Sequence, residues 1–213
     1  MTYNYTLGLQ GIDTQIACHY DTRSPVGLVE VLEGVFLTIG SCPNGIDALD
    51  NLRYYSILSN HTLAFWACGL GDRDPTDNSF RSYNLHLRGF DDYNTSIANI
   101  TCTIETKTAE YSVTFHKPSN SFITELSPSQ PSTLFPTHLI KQSVQEIGLV
   151  VSGSQSFYSN AVVESVRGLG FKYFGLKVGT RHDMYPKLFQ YMLQGIDEYQ
   201  VSDQWTKIPC DSD

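Results

Sequence analysis

A chain of 213 residues carries 14 Lys plus Arg against 22 Asp plus Glu, a formal net charge of −8, with 12% aromatic and only 17% charged residues. That balance repels a phosphate backbone and speaks against nucleic acid as a partner, and no apolar run approaches the about 20 residues that a membrane-spanning helix needs. The length suffices for one domain with a sizeable core, so disulfides would reinforce the fold and need not create it.

Up to about residue 125 the chain reads as strands of period two. Tyr3, Tyr5, Leu7 and Leu9 share one parity against Asn4, Thr6 and Gln10, and Ile12, Thr14, Ile16, Cys18 and Tyr20 follow before a break at Ser24-Pro25. Val35, Leu37 and Ile39 lead to a turn at Cys42-Pro43-Asn44-Gly45. Leu63 to Cys68 is a continuous apolar run of the kind buried on both faces. Tyr83, Leu85 and Leu87, then Ile100, Cys102 and Ile104, then Tyr111, Val113 and Phe115 alternate with polar neighbours. Recurrent turn signals between such segments favour an antiparallel β-sandwich, expected over residues 1–126.

A Pro/Ser break at 127–136 precedes a change of period. Ile140, Val144, Ile147 and Val151 form a helical stripe from Thr137 onward; Phe157 to Leu169 and Met184 to Tyr199 follow the same spacing. Asp183 is the expected N-cap of the last, and Gly168, Gly170 and Gly175 are expected in a connector between helices. The fold class is therefore α+β, with a sandwich at 1–126, a linker at 127–136, two or three amphipathic helices at 137–200 packed on the sandwich, and a polar, loose tail at 201–213.

Four N-x-S/T acceptors begin at Asn4, Asn60, Asn94 and Asn99 and are candidate glycosylation sites. A glycan is hydrated, so its asparagine must face water. Asn4 and Asn99 fall on the polar parity of their segments, and the hydroxyl partners Thr6 and Thr101 share that face, which is expected to be wet. Of the five cysteines, Cys18 and Cys102 lie mid-strand on the apolar parity while Cys42 and Cys68 each close a strand. This favours Cys18–Cys102 across the sheets and Cys42–Cys68 at an edge, one of three pairings that four cysteines allow, with Cys210 left over in the tail. Sequons and cysteines together argue for an oxidising, glycosylating compartment, on the extracellular side of a membrane or secreted. Met1-Thr2-Tyr3-Asn4-Tyr5 offers neither a basic flank nor an apolar run, so the export or membrane-spanning segment is expected outside these residues, and any membrane attachment would run through it.

Catalytic signatures are weak. Asp72-Arg73-Asp74-Pro75-Thr76-Asp77-Asn78 is rich in oxygen ligands but lacks the glycine and closing glutamate of a calcium loop, and a solvated hairpin is the better reading. Asp91 or Asp92 could supply one carboxylate of a glycosidase pair, without a second that the sequence places opposite; turn chemistry is favoured. His19, His86 and His116 fall on polar strand positions and read as solvated cross-strand contacts. Trp66 and Tyr83 read as core before carbohydrate platform, and Phe157, Met184, Tyr191 and Met192 as core before partner groove. No catalytic residue, metal ligand or cofactor is expected.

Thr2 to Leu7, Ala17 to Pro25, Leu63 to Cys68, His86 to Gly89, Thr95 to Ile104, Ala161 to Val166 and Met192 to Ile196 together resemble the extracytoplasmic region of transmembrane proteins of mushroom-forming fungi. The resemblance implies hydrophobic spans flanking this region and supplies no catalytic residues. The expected function is a non-enzymatic, glycosylated ectodomain that meets an extracellular ligand or protein. The alternatives are a secreted carbohydrate-active enzyme of β-sandwich type and a cytosolic scaffold.

Overall fold

A computed structural model describes residues 4–32, 35–42, 55–57, 63–76, 79–116, 121–126, 137–153, 159–177 and 179–205. Asn60, Cys210, Phe157, the segment 127–136 and the turn after Cys42 lie outside them. The described elements are β1 (Asn4–Tyr20), β2 (Val26–Leu32), β3 (Val35–Gly40), β4 (Tyr55–Ile57), β5 (Leu63–Arg73), β6 (Phe80–Gly89), β7 (Ile100–His116), β8 (Ser121–Leu126), α1 (Thr137–Gly153), α2 (Ala161–Phe174) and α3 (Met184–Trp205). Every described strand pairing is antiparallel, and the class is α+β.

The larger sheet runs β1-β7-β6-β5, and β8 also pairs β7. β1 follows β7 in unbroken register from Asn4 opposite His116 to Tyr20 opposite Ile100. On its other edge β7 is shared: Ile100 to Glu105 pairs β6, and Tyr111 to His116 pairs β8. The two segments read from the sequence around Gly11 are thus one 17-residue strand. Leu7 and Ile16 lie on opposite parities of this unbroken ladder and so project to opposite sides. Leu7 is 61% exposed.

Around β5, β6 and the near half of β7 the alternation divides two faces. Leu63, Phe65 and Ala67, with Tyr83, Leu85 and Leu87, and Ile100, Cys102 and Ile104, join one buried cluster with Ile140, Val144, Ile147 and Val151 of α1, Val163 and Val166 of α2, and Tyr185, Phe189 and Leu193 of α3. Helices therefore cover this face, and the stripe expected on α1 is the stripe that packs. The opposite face of β5 and β6 meets β2 and β3 of the smaller sheet β2-β3-β4. Gly40 lies against the Trp66 indole, so closely that a β-carbon there would overlap the ring, and Arg88 donates through Nη1 to the Val26 carbonyl at 2.8 Å. Among the described residues the two sheets therefore meet over β5 and β6. This stacking agrees with the expected antiparallel arrangement of two sheets followed by helices, and the helices pack on the other face of the larger sheet.

Helix boundaries are set by caps that periodicity alone does not locate. α2 starts at Ala161 and not near Phe157, because Asn160 stops the chain in an extended conformation (φ −106°, ψ 116°) and its side-chain oxygen accepts from the Val162 and Val163 amides. Gly168 and Gly170 lie inside α2, where a connector was expected; only Gly175, left-handed at φ 62°, ends the helix. Asp183 immediately precedes α3 and is exposed, and the neighbouring His182 also serves the first turn, its Nδ1 accepting from the Met184 amide at 3.2 Å. α3 continues to Trp205 into the stretch expected to be loose, and between Gly195 and Pro209 the sequence has no Gly or Pro.

Candidate functional site

Registry places His19, Thr101, His86 and Trp66 opposite one another across β1, β7, β6 and β5, with Ala17, Thr103, Asn84 and Cys68 as the adjoining row. Both rows lie on the side away from the helices. This face was expected to be wet, yet Thr101 is 4% and His86 7% exposed. The reason lies in the chain after β1: the Asp21 amide donates to the Asn99 carbonyl at 2.9 Å, and this contact brings the Asp21 carboxylate over Thr101. Thr101 Oγ1 donates to Asp21 Oδ2 at 3.2 Å and lies 3.1 Å from His86 Nδ1.

One hydroxyl carries one proton. Since that of Thr101 goes to Asp21, the hydroxyl can only accept from His86, which fixes the proton of neutral His86 on Nδ1. The threonine, and not the histidine, is the central member of the trio. In a nucleophile-activating triad the imidazole stands between acid and hydroxyl and takes the hydroxyl proton; here the hydroxyl is committed to the acid, and the trio has the wrong order for that chemistry. Burial tends to raise Asp21, but amide donation from Arg23 and Thr22 and the Thr101 hydroxyl outweigh it and hold the carboxyl below its usual 3.8. Burial lowers His86 below 6.5.

A pH dependence follows. Between its folded and unfolded pKa values His86 binds more proton in the unfolded chain, so stability rises with pH there. The contribution is fully present above about pH 6.5 and is lost as the pH falls below it. Urea midpoints should therefore drop on acidification from about pH 7.5 to about pH 5, and His86→Gln, which can still donate to Thr101 but cannot be protonated, should flatten the drop. An unchanged slope in the variant would assign the acid sensitivity to other groups.

The sequons take three different environments. At Asn4 the acceptor residue opens β1, and Thr6 is exposed with its hydroxyl 3.1 Å from that of Thr114. Asn94 is exposed, at the end of a 3-10 turn (Asp91–Tyr93), whereas its partner Ser96 is fully buried. Asn99 is only half-buried, but its Oδ1 is sealed from solvent without a hydrogen-bond partner. The hydration expected of this face fails at Thr101, which is buried between Asp21 and His86, and in part at Asn99, whose Oδ1 is sealed.

Both expected cysteine pairs are bonded, at S–S distances of 2.00 Å for Cys18–Cys102 and 2.16 Å for Cys42–Cys68. Their roles are exchanged. Cys18 and Cys102 stand opposite each other on neighbouring strands of one sheet, so this bridge does not cross between sheets. Cys42, just after β3, reaches Cys68 in β5, and it is this pair that ties the two sheets together. Registry explains the exchange: which strands are neighbours cannot be read from parity.

The remaining candidates resolve into structure. Asp74 Oδ1 accepts from the Thr76 amide and hydroxyl at 2.9 and 2.6 Å, an Asx turn closing the β5–β6 hairpin. Asp91 and Asp92 are exposed in the 3-10 turn, where the Asp91 carbonyl accepts from the Asn94 amide. His19 is exposed, as expected, and Tyr83 is core; Met184 and Met192 pack against the core, while Tyr191 is 66% exposed. Among the described residues no three His, Cys, Asp or Glu side chains are gathered so as to hold a metal ion.

A second polar cluster escaped sequence reasoning altogether. The Tyr93 hydroxyl donates to Glu164 Oε1 at 2.8 Å and accepts from the Asn160 amide at 2.9 Å. Arg167 donates to the same carboxylate at 3.1 Å and lies over the Tyr93 ring at 5.3 Å. Burial pushes the Tyr93 phenol up to about 12. Tyr20, whose hydroxyl donates to the Ser96 carbonyl at 2.5 Å, is likewise raised by burial to about 12. These groups join the strand connections to the helices; the only sequence signal was Glu164 in the first turn of α2, which depends on knowing where α2 starts. No family model matches this chain, and no curated protein or solved structure is significantly similar to it.

Proposed function

We propose that this chain is a disulfide-braced, glycosylated domain exposed outside the cytosol as part of a fungal membrane protein, and that it serves recognition or structural support and not catalysis. The observation that carries the reading is the pairing of four cysteines into two bridges, one of them linking the sheets. Such bridges persist in oxidising compartments and are reduced in the cytosol. The Asp21–Thr101–His86 trio supports a structural use of its polar groups, since its proton order is unsuited to activating the threonine. The resemblance of the strand segments to extracytoplasmic regions of fungal transmembrane proteins supports the membrane association.

Material from a eukaryotic secretory host tests this by peptide mapping without reduction and by intact mass before and after deglycosylation. Both cysteine pairs should be recovered as linked peptides, with sugar on one or more of the acceptors Asn4, Asn60, Asn94 and Asn99. Free thiols together with an unchanged mass would favour the cytosolic scaffold. Hydrolysis of an oligosaccharide, lost in Asp91→Asn or Asp92→Asn, would favour the carbohydrate-active enzyme.

A further inference from the structure

The C-terminal turn of α2 is exposed on every side. Phe171 is 67%, Tyr173 64%, Phe174 51% and Leu169 42% exposed, and residues 171–175 are exposed without interruption. The buried face of α2, Val163, Val166, Arg167 and Gly170, ends one turn earlier. The turn is built and not frayed: the Gly175 amide donates to the Phe171 carbonyl at 3.1 Å and the Leu176 amide to the Gly170 carbonyl at 3.2 Å, and Leu176, 6% exposed, returns to the core. This crossed pair of bonds holds the aromatic turn outward from the body of the protein.

Charge at the tip is opposite to that of the chain. No Asp or Glu stands between Glu164 and Asp183, whereas Arg167, Lys172, Lys177 and Arg181 do, in a chain of net charge −8. Arg167 is paired with Glu164, but Lys172, Lys177 and Arg181 are exposed. Lys172 Nζ lies 5.2 Å from the Tyr173 ring centroid. Charges within a screening length of about 8–10 Å dominate the potential at such a tip.

We propose that this aromatic turn inserts into the headgroup region of a phospholipid bilayer, with Lys172 and Lys177 against the lipid phosphates. A fluid phase accepts side chains radiating in all directions from one turn, whereas a protein groove or a sugar ring asks for a single flat face. Aromatic rings with a polar edge and lysines with long apolar stems are the residues that settle at such an interface. The inference goes beyond the proposed function and is tested separately, since cysteine mapping reports the compartment and lipid binding reports the tip.

The full chain should cosediment with phosphatidylcholine vesicles containing about 30 mol% phosphatidylserine, less with phosphatidylcholine alone, and less again at about 0.5 M salt. Phe171→Ser/Phe174→Ser should weaken vesicle binding by at least about tenfold. Lys172→Glu/Lys177→Glu should weaken binding to the anionic vesicles by at least about fivefold. Tyr191→Ser, equally exposed on α3, is the control and should bind as the parent does. Absence of vesicle binding, or binding unchanged in the Phe171/Phe174 variant, would overturn the proposal. So would a Phe171/Phe174 variant that loses self-association in sedimentation velocity while binding vesicles normally, which would assign the tip to a second copy of the chain.

Discussion

Cys18→Ala/Cys102→Ala is expected to lower the unfolding free energy by about 4–5 kcal/mol, and Cys42→Ala/Cys68→Ala by about 3–4 kcal/mol, in urea titrations under non-reducing conditions. The order follows from sequence separations of 84 and 26 residues, because a longer closed loop removes more freedom from the unfolded chain. The local consequences run the other way. Cys18–Cys102 sits within a continuous ladder that persists without it, so its loss acts mainly through the unfolded state. Cys42–Cys68 joins β3's end to β5, and without it β2, β3 and β4 keep the Gly40–Trp66 contact and the Arg88–Val26 hydrogen bond. Hydrogen exchange in the Cys42/Cys68 variant should therefore quicken in β2–β4 and leave β6 and β7 near the parent rate. Equal acceleration across both sheets would contradict this division of roles.

Asn160→Ala is expected to destabilise the fold by about 2–4 kcal/mol, the sum of a lost N-cap at about 1 kcal/mol and an orphaned buried carbonyl at about 1–3 kcal/mol. The side chain is fully buried and makes three bonds: its oxygen accepts from the Val162 and Val163 amides at 3.1 and 3.2 Å, and its nitrogen donates to the Val151 carbonyl at 3.0 Å. It thus caps α2 while satisfying a carbonyl of α1. Asn160→Asp separates these functions, since a carboxylate still accepts from both amides beside a helix N-terminus but cannot donate to Val151. Melting temperatures should fall in the order parent, Asn160→Asp, Asn160→Ala, with about 2–4 °C for each kcal/mol in a domain of this size. Asn160→Asp behaving no better than Asn160→Ala would place the larger part of the effect on the α1 carbonyl.

Local rules carried much of the architecture. Alternation in β6 and β7, the continuous apolar run in β5 and the three- and four-residue spacing in α1 depend only on how side chains project from the backbone, so the segments that supply the core were readable from residue order. The Asx turn at Asp74 belongs to the same kind: a short side chain bonded to the main chain two residues on. Cysteine placement on apolar rows and at strand ends was also local, and so were the partners that followed from it.

What residue order left open is which rows face each other and what lies over them. Neighbourhood of β1 and β7 turned Cys18–Cys102 into a bridge within a sheet, and the seating of β3 over β5 made Cys42–Cys68 the bond between sheets. Polarity was mistaken for hydration at Thr101 and His86, because a polar row becomes dry when a carboxylate from beyond β1 satisfies it, and Asp21 is 80 residues away in sequence from the hydroxyl it accepts from. The Tyr93, Asn160, Glu164 and Arg167 cluster is hidden for the same reason: each residue is unremarkable alone, and only the packing of α2 against the turn before β7 brings them together. Chain order determined the periodicities and the caps available to use them; the tertiary structure alone decided burial, because burial belongs to contacts between segments distant in the chain.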